Sequence, residues 1–178
     1  LTLLLGAIVS SQEVRGQSSI EHKKPNIVFI FADDWGWGDL SCHGSTWLRT
    51  PNIDRMAEEG IDFEQFNVLN PVCSPSRTAL ITGLYPSRFC IDQHFAAPEQ
   101  NRQRNMPDWL DAKATTLPRK LQSAGYYTGH FGKWHLTNRE TYGAPTPDAY
   151  GYNEAKVFNG GAEWPSAKVD EAATDAVE

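Results

Sequence analysis

The sequence predicts an α/β fold built on a mostly parallel sheet flanked by helices. Residues 26–32 (NIVFIFA) form an unbroken β-branched and aromatic run, which is what a strand buried on both faces of a parallel sheet requires. Further along, segments opened by Thr and Pro and closed by Gly alternate with apolar runs, the rhythm of strands joined by right-handed helical crossovers. Three polar clusters, Asp33/Asp34, Cys73/Arg77 and Lys133/His135, each follow a predicted strand. Sites in such sheets gather at the carboxyl ends of the strands, so the clusters can converge although they are about a hundred residues apart.

Composition narrows the class. A chain of 178 residues is about one domain, and 40% hydrophobic with 21% charged residues excludes wholesale disorder. Sixteen Lys and Arg against 22 Asp and Glu leave a formal charge of −6, so there is no basic field to collect a phosphate backbone and nucleic acid is not an expected partner. Three widely spaced cysteines without a CxxC make neither a disulfide scaffold nor a zinc knuckle.

Residues 1–9 (LTLLLGAIV) are apolar but far short of the roughly 20 residues that span a bilayer, so no membrane span is expected. They read as the apolar core of a secretory signal peptide, assigned to residues 1–16 and truncated at its start, with a buried N-terminal strand as the alternative. A polar linker at 17–24 and a domain at 25–178 follow, and the expected location is periplasmic or secreted. Thr50 and Pro51 open a helix with Ile53, Met56 and Ala57 as its apolar stripe and Gly60 as its stop. A strand is expected over 63–69. The next helix starts near Pro75 and ends at Gly83, placing Cys73 at a helix N-terminus, where free N–H groups favour an anion. Thr116 and Pro118 open another helix that runs to Ala124, and a strand over 126–131 delivers residues 132–135 (GKWH) into a loop. Residues 172–178 (AATDAVE) read as the opening of a helix without a stop, so the domain is expected to continue.

Adjacent carboxylates at a strand end repel unless a cation sits between them, and oxygen ligands suit calcium or magnesium; the alternative is that Asp33 caps a turn and Asp34 is solvated. Arg77 lies four residues after Cys73, on the same edge of a first helical turn, where its fork can hold an anion or an altered Cys73. A thiolate phosphatase needs Arg six positions after its cysteine, and that position here is Ala79, so the spacing rejects that chemistry. An inert core cysteine is the remaining alternative. Strand-like alternation puts Lys133 and His135 on one side and Trp134 on the other; a lysine can neutralise a sulfate or phosphate oxygen, and a histidine can move protons near neutral pH. A surface cation and a core imidazole are the alternatives.

Residues 73–83 (CSPSRTALITG) resemble the type I sulfatase signature CxPSRxxxxTG, a highly specific pattern. The resemblance also covers residues 25–28 and 33–40, Thr50 to Asp54, and 132–136, and extends weakly to 150–153. It implies the alkaline-phosphatase-like α/β fold, incomplete in this chain, and sulfate ester hydrolysis. By that likeness Cys73 is converted to formylglycine by a formylglycine-generating or anaerobic sulfatase-maturating enzyme, and its hydrated aldehyde is the nucleophile. Asp33, Asp34 and the converted Cys73 bind Ca2+, with Mg2+ less favoured. Arg77 supports the formylglycine, Lys133 contacts the sulfate and His135 hydrogen-bonds to the nucleophile's hydroxyl. The implied substrate is a sulfated small molecule or carbohydrate. The family's later metal and sulfate ligands have no match in this chain, which alone is expected to carry a partial metal site and little or no activity. A phosphodiesterase or phosphonate hydrolase of the same superfamily, or a non-catalytic module with the same fold, are the other readings.

The bystander residues have simpler expectations. Cys42 with His43 offers too few ligands for zinc, and Cys42 could pair with Cys90. Trp35 and Trp37 are expected to pack under the acidic loop. Arg102 and Arg104, within residues 101–105, are expected in an exposed loop near the pocket mouth.

Overall fold

A computed structural model describes residues 24–138 and 143–159. The signal peptide, most of the linker and the opening of a last helix at 172–178 lie outside the described residues. The chain divides into two units, the first ending at Ala32 and the second beginning at Asp33. In the first, the described residues 24–32 join no strand ladder, and Val28 (84%) and Ile30 (79%) are largely exposed. This corrects the expected strand at 26–32. A β-rich composition becomes a strand only where a neighbouring strand pairs with it, and among the described residues this segment joins no ladder.

In the second unit the first helix, α1 (Pro51–Glu59), matches its expected start and stop. Thr50 does not cap with its side chain; its backbone carbonyl accepts from Asp54 N–H at 2.9 Å, while its hydroxyl donates to the Asp54 carboxylate at 2.8 Å. Ser41 Oγ donates to the same carboxylate at 2.6 Å, tying the 3-10 turn Ser41–His43 to α1. The expected strand over 63–69 is absent: residues 64–65 turn, and Phe63 and Phe66 are exposed. Helix α2 (Cys73–Thr82) begins two residues before Pro75, which is harmless because a first-turn residue needs no N–H. It ends where Gly83 adopts φ +68 and donates to Ala79 O at 2.8 Å.

Helix α3 (Pro98–Gln103) replaces the loop expected around Arg102 and Arg104. Asn101 is fully buried there: its amide receives from Ala96 N–H at 2.8 Å and donates to Ala96 O at 3.0 Å and to Asp108 Oδ1 at 2.9 Å. Helix α4 (Leu117–Ser123) follows Thr116, whose hydroxyl donates to Tyr150 O at 2.5 Å rather than to its own helix. Arg119 on α4 donates to Ala112 O at 2.5 Å and Ala114 O at 2.7 Å, and also to Ala149 O. That close approach needs Gly151, where a Cβ would lie 2.6 Å from the Arg119 backbone nitrogen and φ is +98.

The sheet among the described residues is a parallel pair, β1 (Gly129–Lys133) and β2 (Glu154–Phe158), in register from Gly129 with Glu154 to Lys133 with Phe158. The strand expected at 126–131 is thus displaced by about three residues toward the C-terminus, and Lys133 is its last member. Ile81, Ile91, Phe95, Met106, Leu110, Trp134, Leu136, Tyr150 and Val157 make the core against which α2 and β1 rest. Trp35 and Trp37 are exposed, contrary to expectation; Trp37 stacks on His43 with ring centroids 3.6 Å apart. Cys42 and Cys90 are both exposed and unpaired.

Because buried Asn101 makes three hydrogen bonds, two to the Ala96 backbone and one to half-buried Asp108, Asn101→Ala is expected to destabilise the chain by about 2–3 kcal/mol. Arg102→Ala on the exposed side of the same helix should stay within about 0.5 kcal/mol. Urea unfolding of the two variants checks the contrast.

Candidate active site

The strand-to-loop junction after β1, the N-terminal turns of α2 and the residue that opens the second unit meet at one carboxylate. Lys133 Nζ donates to Asp33 Oδ2, and Arg77 Nη2 lies 3.4 Å from Asp33 Oδ1. Arg77 Nη1 also donates to the Lys133 carbonyl at 2.6 Å, so the guanidinium holds both the acid and the backbone that carries the ammonium. Arg77 is buried and Asp33 is 34% exposed in its side chain. Partial burial pushes the Asp33 carboxyl up, but Lys133 and then Arg77 outweigh it and hold the group below the ordinary aspartate value. Exposed pairs of this kind contribute about 0–1 kcal/mol to stability, so this arrangement matters more for position than for folding.

Cys73 is the first residue of α2 and half-buried, one helical turn before Arg77. Around it the backbone is fixed from outside: Asn70 Oδ1 receives Val72 N–H at 2.8 Å, and Ser76 Oγ donates to Asn70 O. Ser74, fully buried, receives Phe95 N–H on its hydroxyl at 3.1 Å. The Phe95 carbonyl in turn lies 3.2 Å from His135 Nε2. A carbonyl can only accept, so Nε2 carries the proton and Nδ1 is the acceptor. His135 Nδ1 is buried and makes no hydrogen bond among the described residues. Burial pushes the His135 pKa down against the Phe95 carbonyl, and the neighbouring Lys133, His94 and Arg77 add to the shift, so the ring is neutral at pH 7.

His135 itself sits at φ +48, a left-handed conformation that costs a non-glycine residue about 1–2 kcal/mol. Trp134 beside it is buried, and its ring meets Tyr150 edge-on at 5.3 Å. The expected alternation holds in burial: Lys133 and His135 remain partly open while Trp134 is inside. His130, one turn of strand earlier, donates from Nε2 to the Lys133 carbonyl at 3.2 Å and is also held neutral, chiefly by burial.

The structure therefore unites Asp33, Arg77 and Lys133 in direct contact, with Cys73 and His135 attached through α2 and Phe95. Asp34 stands apart, exposed at φ +61. Among the described residues no group of three or more His, Cys, Asp or Glu is arranged to hold a metal ion. The oxygen donors of Asp33 and Asp34 suit a hard divalent cation chemically, but they are fewer than the six to eight oxygens calcium takes. Sequence reasoning did not find Ser74, the Phe95 carbonyl or Asn159, which receives His135 N–H on Oδ1 at 2.6 Å. All three act through contacts to or from the backbone, which no motif encodes.

A profile of the sulfatase family matches residues 25–176, and the chain belongs to that family. It is 42% identical over 136 residues to an N-acetylgalactosamine-6-O-sulfatase of Bacteroides thetaiotaomicron, a match covering 76% of this chain and 25% of the relative. Human arylsulfatase D is 46% identical over 114 residues, covering 63% and 19%. Among solved structures, Ps i-CgsB in complex with k-i-k-neocarrahexaose is similar with a TM-score of 0.63 and 35% identity, covering 78% of this chain and 29% of that one. BT4656 in complex with its substrate D-glucosamine-2-N,6-O-disulfate gives 0.57 and 30%, covering 78% and 24%. The fold is thus that of the alkaline-phosphatase-like sulfatases. The chain spans about a quarter of the length of the curated relatives it matches.

Both histidines of the GHFGKWH segment are neutral when folded and bind a proton more readily when unfolded. Their contribution is complete above about pH 6.5 and is lost as pH falls through their lowered folded values. Unfolding free energy is expected to fall between pH 7.5 and 5, and the slope should shrink in His130→Gln; urea midpoints across that range measure it.

Proposed function

We propose that this chain carries the nucleophile half of a sulfuric ester hydrolase acting on a sulfated carbohydrate. The observation that supports the reading most is the CSPSR start of α2 meeting Lys133 and Asp33 through Arg77. Carbohydrate is favoured because one named relative is an N-acetylgalactosamine-6-O-sulfatase and two similar structures hold a neocarrahexaose and a glucosamine disulfate. The expected location, periplasmic or secreted, suits such a substrate.

Converted to formylglycine by a maturating enzyme, Cys73 would supply a hydrated aldehyde, one hydroxyl to displace the alcohol from sulfur and the other to expel sulfate and restore the aldehyde. A divalent cation, calcium by preference, would be held in part by Asp33, Asp34 and the converted Cys73 and would supply charge neutralisation at the nucleophile. Arg77, one helical turn after position 73, ties α2 to Asp33 and to the Lys133 backbone and would support the converted residue with its cation. Lys133 presents its ammonium at the same edge, where it can pair with a sulfate oxygen as readily as with Asp33. His135, neutral and with Nδ1 open as an acceptor, takes a proton from a hydroxyl placed beside it and can return it to the leaving oxygen.

Co-expression of the complete protein with a formylglycine-generating enzyme is expected to give a position-73 peptide with the mass of an aldehyde. Cys73→Ala should abolish sulfate release, and His135→Ala should lower kcat by about 10²–10⁴. A retained thiol with no turnover would favour a non-catalytic module, and preferential turnover of phosphate diesters would favour the other hydrolase class.

A further inference from the structure

At the far end of the β1–β2 pair, the last backbone rung is Trp134 N–H to Phe158 O at 2.9 Å. Beyond it the ladder does not stop at once. Asn159 receives His135 N–H on Oδ1 at 2.6 Å and donates from Nδ2 to Thr137 O at 3.1 Å. One planar side-chain amide thus supplies the donor and acceptor that a peptide group would have supplied, and brackets the backbone on both sides of Leu136. Leu136 is itself buried, and its carbonyl receives Leu110 N–H at 3.0 Å. The bracket falls at the one position of this segment, His135, where a non-glycine residue is held left-handed. A residue in that conformation persists only where its surroundings over-determine it. On the other side the His135 ring is fixed by the Phe95 carbonyl.

We propose that Asn159 is a positioning residue for the sulfate-ester reaction: it holds the left-handed turn at His135 so that Nε2 stays on Phe95 and Nδ1 stays open as the proton acceptor. This rests on the role given to His135 above. The contact that bears on the turn is the Oδ1 acceptor for His135 N–H, and the donor to Thr137 O supports it: Asp keeps the first and loses only the second, whereas an apolar residue offers neither. The catalytic geometry of His135 therefore depends on a residue that touches no substrate.

The test uses the complete, converted protein with nitrogen-15 histidine spectra and steady-state kinetics. In the parent protein the His135 ring should show the Nε2–H tautomer, and a coupling across the hydrogen bond should link the His135 amide nitrogen to the Asn159 side-chain carbonyl carbon. Asn159→Ala should replace that tautomer signature with an averaged one and lower kcat about tenfold, with KM changed less than twofold. Asn159→Asp, which keeps the acceptor, should restore the signature and kcat to within about threefold of the parent. An unaltered signature and kcat in Asn159→Ala would overturn the proposal, as would equal losses in the Ala and Asp variants or an absent coupling in the parent. Should Asn159→Ala fail to fold, the parent coupling and the recovery in Asn159→Asp decide the matter. Full activity in His135→Ala would instead overturn the function assigned to the histidine, and the ring signature alone would then judge the clamp.

Discussion

Everything in the site is arranged around the single carboxylate of Asp33, which meets an ammonium from the end of β1 and a guanidinium from the first turns of α2. The two cations come from positions 56 residues apart, and Arg77 grips the peptide of the other as well. Pairs this open to water add little to stability, yet a buried guanidinium without an anion would be costly, so the contact selects one arrangement of helix and strand over others. The same acid that neutralises these cations is the one expected to face a metal.

Position 73 is fixed less by its own contacts than by its neighbours'. Ser74 and Phe95 connect the start of α2 to the ring of His135, and Asn159 fixes the backbone that carries that ring. Burial pushes the His135 pKa down, so an imidazole that resists protonation lies in the same region as Lys133 and Arg77.

Much of this was legible in the sequence because it is local. The start and stop of α1, the Gly83 cap of α2, and the delivery of Lys133 and His135 from a strand all follow from turn chemistry and spacing, and the CSPSR signature marked Cys73 and Arg77. What was not legible depends on partners. Residues 26–32 and 63–69 have strand composition but no neighbour in register among the described residues, and α3 was hidden because Asn101 reads as a loop residue until its three hydrogen bonds to Ala96 and Asp108 are known. Asn159 escaped for the same reason: its amide is informative only beside the backbone of residues 135 and 137.

The most direct test is the titration of the Asp33 carboxyl carbon by NMR in the metal-free protein. With both cations in contact its midpoint should lie below the ordinary aspartate value of about 3.9 and rise toward it in Lys133→Ala. A midpoint at or above that value in the parent, unmoved by the substitution, would contradict the meeting of Asp33, Arg77 and Lys133 on which the site is built.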